Sequence, residues 1–213
     1  MFLSIRRPWL RGGAGLAGIA VVAATAVVAS SAAASASTTK LTVTYPVSGS
    51  SYVATPGATL PLGPGTLKST VNLNNGKLTA NIKLPDATGQ FKELGLIPVT
   101  ATAQLINDGP TTGTLNLDTG AVQTTSNITM KLVSLSVAGI NVPLGSSCET
   151  SQPVVVNLAS QPGFNVLKGG VVSGSYTLPA FANCGLATLL INLTLPGPNN
   201  TISLTLGKGK VQS

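Results

Sequence analysis

Leu117-Asp118-Thr119-Gly120-Ala121 is the stretch of this sequence that most resembles catalytic apparatus. Aspartic proteases use Asp-Thr-Gly loops to bring two carboxylates close enough to share a proton. A single chain needs two such loops, and the matching place upstream reads Asn74-Asn75-Gly76, with an amide where the carboxylate should be. A homodimer could supply a second Asp118, but Asp-Thr-Gly is also what a tight turn requires, a self-bonding side chain followed by a residue free to take positive φ. We read it as a turn. A Ser-Lys dyad needs a lysine of lowered pKa beside the serine. The one match, Ser37-Thr38-Thr39-Lys40, offers nothing to desolvate the lysine. A glycosidase pair would have to come from Asp86, Glu93, Asp108, Asp118 and Glu149. Three of these lie in Gly/Pro-rich turns, and residues 37–213 contain only Tyr45, Tyr52, Phe91, Phe164, Tyr176 and Phe181 as sugar-stacking aromatics. The same five carboxylates are too dispersed for a hard cation, which wants a D-x-D-x-D-G cluster. The chain contains no histidine, which removes Ser-His-Asp and Cys-His pairs, imidazole metal sites and the usual general base. The expectation is a protein with no catalytic residues, no metal and no cofactor: not an enzyme.

Cys148 and Cys184 are the two cysteines, and no C-x-x-C is present. An even pair in an exported chain reads as a disulfide. Closing the loop between these positions would stabilise the fold by about 4 kcal/mol on the chain-entropy account. Export is what the first 36 residues suggest. Arg6, Arg7 and Arg11 precede an uncharged Ala/Gly/Val run from Gly12 to Ala29, and Ala34-Ser35-Ala36 has the A-x-A form of a cleavage site. The run is also long enough to be an uncleaved membrane anchor. Its small residues and the A-x-A site favour cleavage. The arginine pair fits part of a twin-arginine signal, with Ile5 where that pattern prefers a polar residue. Residues 1–36 are therefore assigned to an export signal and 37–213 to a single domain with its core at about 40–207. No stable transmembrane anchor is expected after cleavage.

The domain that remains carries nine lysines, no arginine and five acidic residues. The lysines are scattered from Lys40 to Lys210, without the basic stripe and interleaved aromatics that nucleic acid requires, so nucleic acid is excluded as a partner.

What positions these residues is a series of short strands. Apolar residues recur with period two, bounded by Gly, Pro and Asn turns. Leu41, Val43 and Tyr45 alternate with threonines. Val71 and Leu73 lead into Asn74-Asn75-Gly76, and Leu78, Ala80, Ile82 and Leu84 return on one face, a strong hairpin signature. Val99, Ala101, Ala103 and Leu105 form a strand ended by Asn107-Asp108-Gly109-Pro110. Leu115 and Leu117, the Asp118 turn and Val122 onward make another hairpin, and residues 70–78 align with 114–122 as a weak internal repeat. We read the repeat as one good hairpin used twice. Val154–Leu158, Val171–Leu178, Leu189–Leu195 and Ile202–Leu206 supply further strands, the last two joined by Pro196-Gly197-Pro198-Asn199-Asn200. Leu94–Ile97 and Gly185–Leu190 could each hold a helical turn. Some ten strands predict an all-β, antiparallel β-sandwich with one disulfide, with a closed β-barrel as the alternative, since alternation does not decide closure. The run after Phe181-Ala182-Asn183-Cys184 is expected to be a buried strand pinned to the Cys148 loop, or else the wall of an apolar pocket.

Asn183-Cys184-Gly185-Leu186-Ala187-Thr188, Leu195-Pro196-Gly197-Pro198-Asn199-Asn200-Thr201 and the Asn-Leu-Asp-Thr-Gly hairpin resemble a group of secreted β-rich proteins of actinobacteria, as does the Ala-rich leader. The resemblance implies an exported, disulfide-bonded β domain and brings no activity with it. The poverty of catalytic side chains beside abundant Thr, Asn and Gly leads to a non-enzymatic secreted or envelope-associated module that contacts a cell-wall or other extracellular component. The alternative is an extracellular carrier holding an apolar small molecule in a β-lined pocket. A pore built from several chains is a third possibility, though no aromatic girdle is evident. The ligand-binding residues are not identified by the sequence.

Overall fold

The computed structural model describes residues 39–93 and 95–212. The export signal assigned to 1–36, its cleavage site and the Ser37 dyad position lie outside them, as does Leu94. The chain runs β1 (Lys40–Val53), β2 (Ala58–Asn72), β3 (Lys77–Lys83), β4 (Ala87–Glu93), β5 (Ile97–Asn107), β6 (Thr111–Leu115), β7 (Val122–Val137), β8 (Ile140–Asn141), β9 (Glu149–Thr150), β10 (Val154–Ser160), β11 (Gly170–Leu178) and β12 (Phe181–Ala182). A 3-10 turn (Gly185–Ala187), a short helix α1 (Thr188–Thr194), β13 (Gly197–Leu206) and β14 (Lys210–Gln212) complete it. Every pairing between strands is antiparallel.

The fourteen strands occupy eight positions in one closed wall. β1, β2 and β7 are long and unbroken, at 14, 15 and 16 residues. Each of the other five positions is shared by consecutive shorter strands. β3 and β4 both lie along β2, and β5 and β6 both lie along one edge of β7. β8, β9 and β10 follow its other edge, β12 continues β11 against β9, and β14 continues β13 along β1. Consecutive positions are neighbours throughout. The ring closes where β1 pairs with β2 on one side, from Lys40↔Asn72 to Val53↔Ala58, and with β13 and β14 on the other. Between the two all-β architectures that the alternation allows, the closed barrel is the one that forms, in place of the sandwich. β1 has no free edge, and full closure removes the exposed edges that a sandwich would have to protect.

Alternation places Val43, Tyr45 and Val47 of β1, Leu78 and Ala80 of β3 and Ile202, Leu204 and Leu206 of β13 inside. Threonines take the outer face, where Thr42 and Thr70, and Thr88 and Thr102, pair across strands at 3.0 Å. This accounts for a sequence rich in Thr and poor in charge. The hydroxyls solvate the wall and favour strand geometry.

The two ends of the barrel differ. At the end holding the β1–β2 turn, β9 and β12 are tied by the disulfide Cys148–Cys184, whose cysteines are fully buried and whose Cα atoms are 4.3 Å apart. The chain then crosses this end as α1, not as the buried strand expected over Leu189–Leu195. Its apolar residues fall on both sides of the segment, which conceals the period. Ala187, Ile191 and Leu195 recur at four-residue spacing and plug the barrel, while Leu186, Leu189, Leu190 and Leu193 are exposed. Asn192 fixes the plug by accepting from the Phe181 N–H at 2.7 Å and donating to the Phe181 carbonyl at 2.9 Å. Pro196 follows at once and stops the helix. Of the expected loop Pro196–Asn200, all but Pro196 is instead the start of β13, because the buried Asn200 holds it: its amide donates to the carbonyls of Tyr176 and Gly197, and its oxygen accepts from the Ala54 N–H. Of the two helical turns expected, Gly185–Leu190 belongs to the 3-10 turn and α1. Between β4 and β5 the chain makes a reverse turn, with Gly95 N–H bonded to the Lys92 carbonyl.

Candidate binding site: an apolar lumen under a roof loop

The opposite end of the barrel is not plugged by a helix. Four pieces of chain meet there: the β2–β3 turn, the β6–β7 turn, the β10–β11 loop and the β13–β14 segment. The two turns are the halves of the sequence repeat, and they are built alike. Gly76 and Gly120 take φ of 70° and 74° and donate to the carbonyls of Asn72 and Asn116, both at 2.8 Å. The Asn72 side chain accepts from the Asn74 N–H, and that of Asn116 accepts from the N–H groups of Asp118 and Thr119. Asp118 is therefore an exposed turn residue. The Leu115 N–H donates to the Gly76 carbonyl, and β3 pairs with β6 from Lys77↔Thr114, so the two hairpins stand side by side. Their inward residues, Val71, Leu78, Leu115 and Val122, cluster with Val166. The repeat thus builds one wall of the lumen, a role beyond that of a hairpin used twice.

The β10–β11 loop forms the roof. Asn165 organises it: its side-chain oxygen accepts from the N–H groups of Leu167 and Lys168, and its backbone exchanges two bonds with Gly169. Gly169 has φ +85°, and a Cβ there would run into the carbonyls of Leu206 and Gly207. The phenol of Tyr45 reaches up from β1 to donate to the Val166 carbonyl at 2.6 Å, and the Gly209 N–H holds the Leu167 carbonyl from the other side. These bonds turn Phe164 and Val166 inward.

Beneath them is a cavity of about 100 Å³ lined by Tyr45, Phe164, Val166 and inward residues of β2, β3, β5, β6, β7, β10, β11 and β13. The lining is aliphatic apart from Tyr45 and Phe164 and a few uncharged polar groups, among them Ser69, Asn107, Thr111, Thr124 and Ser126. Thr111 and Ser126 bond to each other at 2.7 Å, and Asn107 donates to the Ile82 carbonyl. No charged side chain lines it. Two smaller voids of about 30 Å³ continue along the barrel. The middle one shares Leu105, Ile128, Val156 and Ile202 with the mouth cavity, and shares Leu60 and Met130 with the void below the helix. The line of voids is slender. Its polar marker is the buried Ser51–Tyr176 hydrogen bond at 2.8 Å.

Burial raises the pKa of Tyr45. It raises that of Tyr176 too, against the opposing pull of the Ser51 hydrogen bond. Both phenols are thus held neutral, as an apolar lumen requires.

The wall next to the cavity is imperfect. Between Ala80↔Thr111 and Ala87↔Ala103 no backbone pairing joins the β3–β4 position to the β5–β6 position, and Asn107 bridges the gap with its one side-chain bond. Leu84 and Leu105 stand at this seam and line the cavity. A second concavity, about 590 Å³, lies on the outer wall and is lined by residues such as Thr112, Gln123, Thr125, Asn157, Ser173 and Ser175, with no carboxylate or aromatic among its lining residues.

Of the residues singled out by sequence, the structure brings Cys148 and Cys184 together, and no group of three or more His, Cys, Asp or Glu that could hold a metal ion occurs among the described residues. The lumen residues were not singled out. Two signals pointed to them, the repeat and the placing of Phe164 and Val166 in a glycine-rich connection. No helix among the described residues is long and apolar enough to cross a membrane. The chain matches no protein-family model, no curated protein and no solved structure.

Proposed function

We propose that this chain is a non-enzymatic, secreted carrier that holds a slender apolar molecule in the lumen of its barrel. The observation that carries the reading is the uncharged cavity beneath the Phe164–Val166 roof, continued by voids toward the helical plug. Eight strands give an interior that is either filled by side chains or able to hold one small ligand. The buried disulfide suits an oxidising compartment and, with the leader-like first 36 residues, supports secretion. The missing histidine and dispersed carboxylates support binding over catalysis. Native mass spectrometry of protein taken from culture medium tests the reading. An apolar adduct, lost on solvent extraction and regained on adding a small apolar fluorescent probe, is the expected result. Protein that is folded yet carries no adduct and takes up no probe would refute it.

A second reading has its own observation. Leu186, Leu189 and Leu193 at the plugged end are 103%, 72% and 72% exposed, more than a solvated cap needs. They favour an envelope-associated module that contacts a cell-wall component through α1. Sedimentation with purified cell walls, abolished by Leu189→Lys and Leu193→Lys, would support that reading, and indifference to both changes would remove it. The hydroxyl-rich outer wall weighs against a pore, because a membrane barrel presents an apolar band to lipid.

A further inference from the structure

The charges of the domain are not scattered once it is folded. Lys40 opens β1 opposite Asn72, Lys77 follows the β2–β3 turn, Lys168 sits on the roof loop, and Lys208 and Lys210 flank Gly209, which is bonded to that loop. All five are exposed at the mouth end of the barrel, where Asp118 is the one acidic side chain among the described residues of the two turns, the roof loop and the β13–β14 segment. Lys68 is level with Lys210, since both lie opposite Thr44 of β1 and both are exposed. The other three lysines, Lys83, Lys92 and Lys131, are outnumbered by the remaining carboxylates Asp86, Glu93, Asp108 and Glu149. The excess of positive side chains is therefore on the half of the barrel that holds the entrance to a cavity with no charged side chain in its lining.

From this juxtaposition we propose that the ligand is an anionic amphiphile, a single alkyl-type chain lying in the lumen with its acidic head group left in water among the mouth lysines. The proposal rests on the carrier reading and names its ligand class. The lumen would not take an ionised group, since nothing in its lining pairs with a charge and burying one unpaired is prohibitive. The slender line of voids suits one chain better than a fused ring system. The lysines supply what the lumen lacks. Each contributes modestly at an exposed site, and together they raise the local concentration of anions, an effect that salt screens. The head group is specified by charge: carboxylate, sulfate and phosphate ester all meet the requirement.

Calorimetric titration of the solvent-extracted protein with decanoate, decyl sulfate and decanol separates the two ideas. At about 20 mM salt both anions should bind roughly tenfold more tightly than decanol, and the difference should shrink several-fold at about 0.5 M salt. Replacing Lys168, Lys208 and Lys210 together by Gln should bring the anions down to the level of decanol and leave decanol unchanged. A thermal melt establishes that this variant is folded, and Asp118→Asn, which raises the mouth charge, should tighten the anions. Equal binding of all three probes at low salt, or preference for decanol, would overturn the amphiphile and leave the carrier standing. Failure of all three to bind the folded protein would overturn both.

Discussion

Tyr45 does two things with one hydroxyl. It ties the roof loop to β1 through Val166, and because burial raises its pKa it stays neutral where a free tyrosine would ionise. Tyr176 behaves likewise beside Ser51. With a native pKa above the unfolded value of about 10, the stabilisation is complete below pH 10 and is lost as pH rises from there through the native value, because the unfolded chain releases its protons first. Thermal melts should therefore fall away above about pH 10, and the double variant Tyr45→Phe, Tyr176→Phe should blunt the fall. An undiminished alkaline slope would contradict this account. Tyr45→Phe alone should also speed release of a bound probe at neutral pH. Cys148→Ser acts at the other end: loss of the bridge should lower stability by about 4 kcal/mol in urea titrations, and an unchanged midpoint would show that the bridge contributes nothing.

Among the elements, α1 and the roof loop show how a sequence can conceal its structure. Both hairpin turns were legible because Asn, Gly and the flanking alternation state a local requirement for positive φ that no distant contact overrides. The first turn of α1 was legible in Gly185–Leu190, but its continuation through Leu189–Leu195 read as a strand because Leu, Ile and Thr satisfy a strand equally well, and only the barrel opening beneath Ile191 decides which face turns inward. The disulfide was readable from parity of cysteines, while the site it faces away from was not, since a cavity is made of ordinary core residues. Ile191→Ala should cost about 2–5 kcal/mol by leaving a hole in the plug, while Leu193→Lys should shift the melt by less than about 0.5 kcal/mol. Comparable losses from the two would mean that the exposed leucines are covered in the folded chain. In the roof, Gly169→Ala should cost about 1–3 kcal/mol and weaken probe retention, because the new methyl group meets two carbonyl oxygens at a positive φ.

For the whole molecule, closure was the one architectural choice that alternation left open, and it decides whether a lumen exists at all. If the lumen is the binding site, filling it should abolish uptake without unfolding the barrel. Ala80 lines the cavity and is buried, so Ala80→Leu should occupy it at a cost under about 3 kcal/mol while reducing probe binding at least tenfold. Undiminished uptake by the folded variant would move the site elsewhere on the molecule. The unpaired stretch between β3–β4 and β5–β6 has a consequence for breathing. On one side of it stand the disulfide, the helix and the β4–β5 pairing; on the other stand the two repeated hairpins and the roof loop, joined to the first block by the long strands β1, β2 and β7 but by no rung across the seam. Amide hydrogen exchange should therefore divide along the barrel axis, with slow exchange at the stapled end and sub-global opening confined to the mouth. A guest could then enter through a partial melting of one rim while the rest of the barrel keeps its shape.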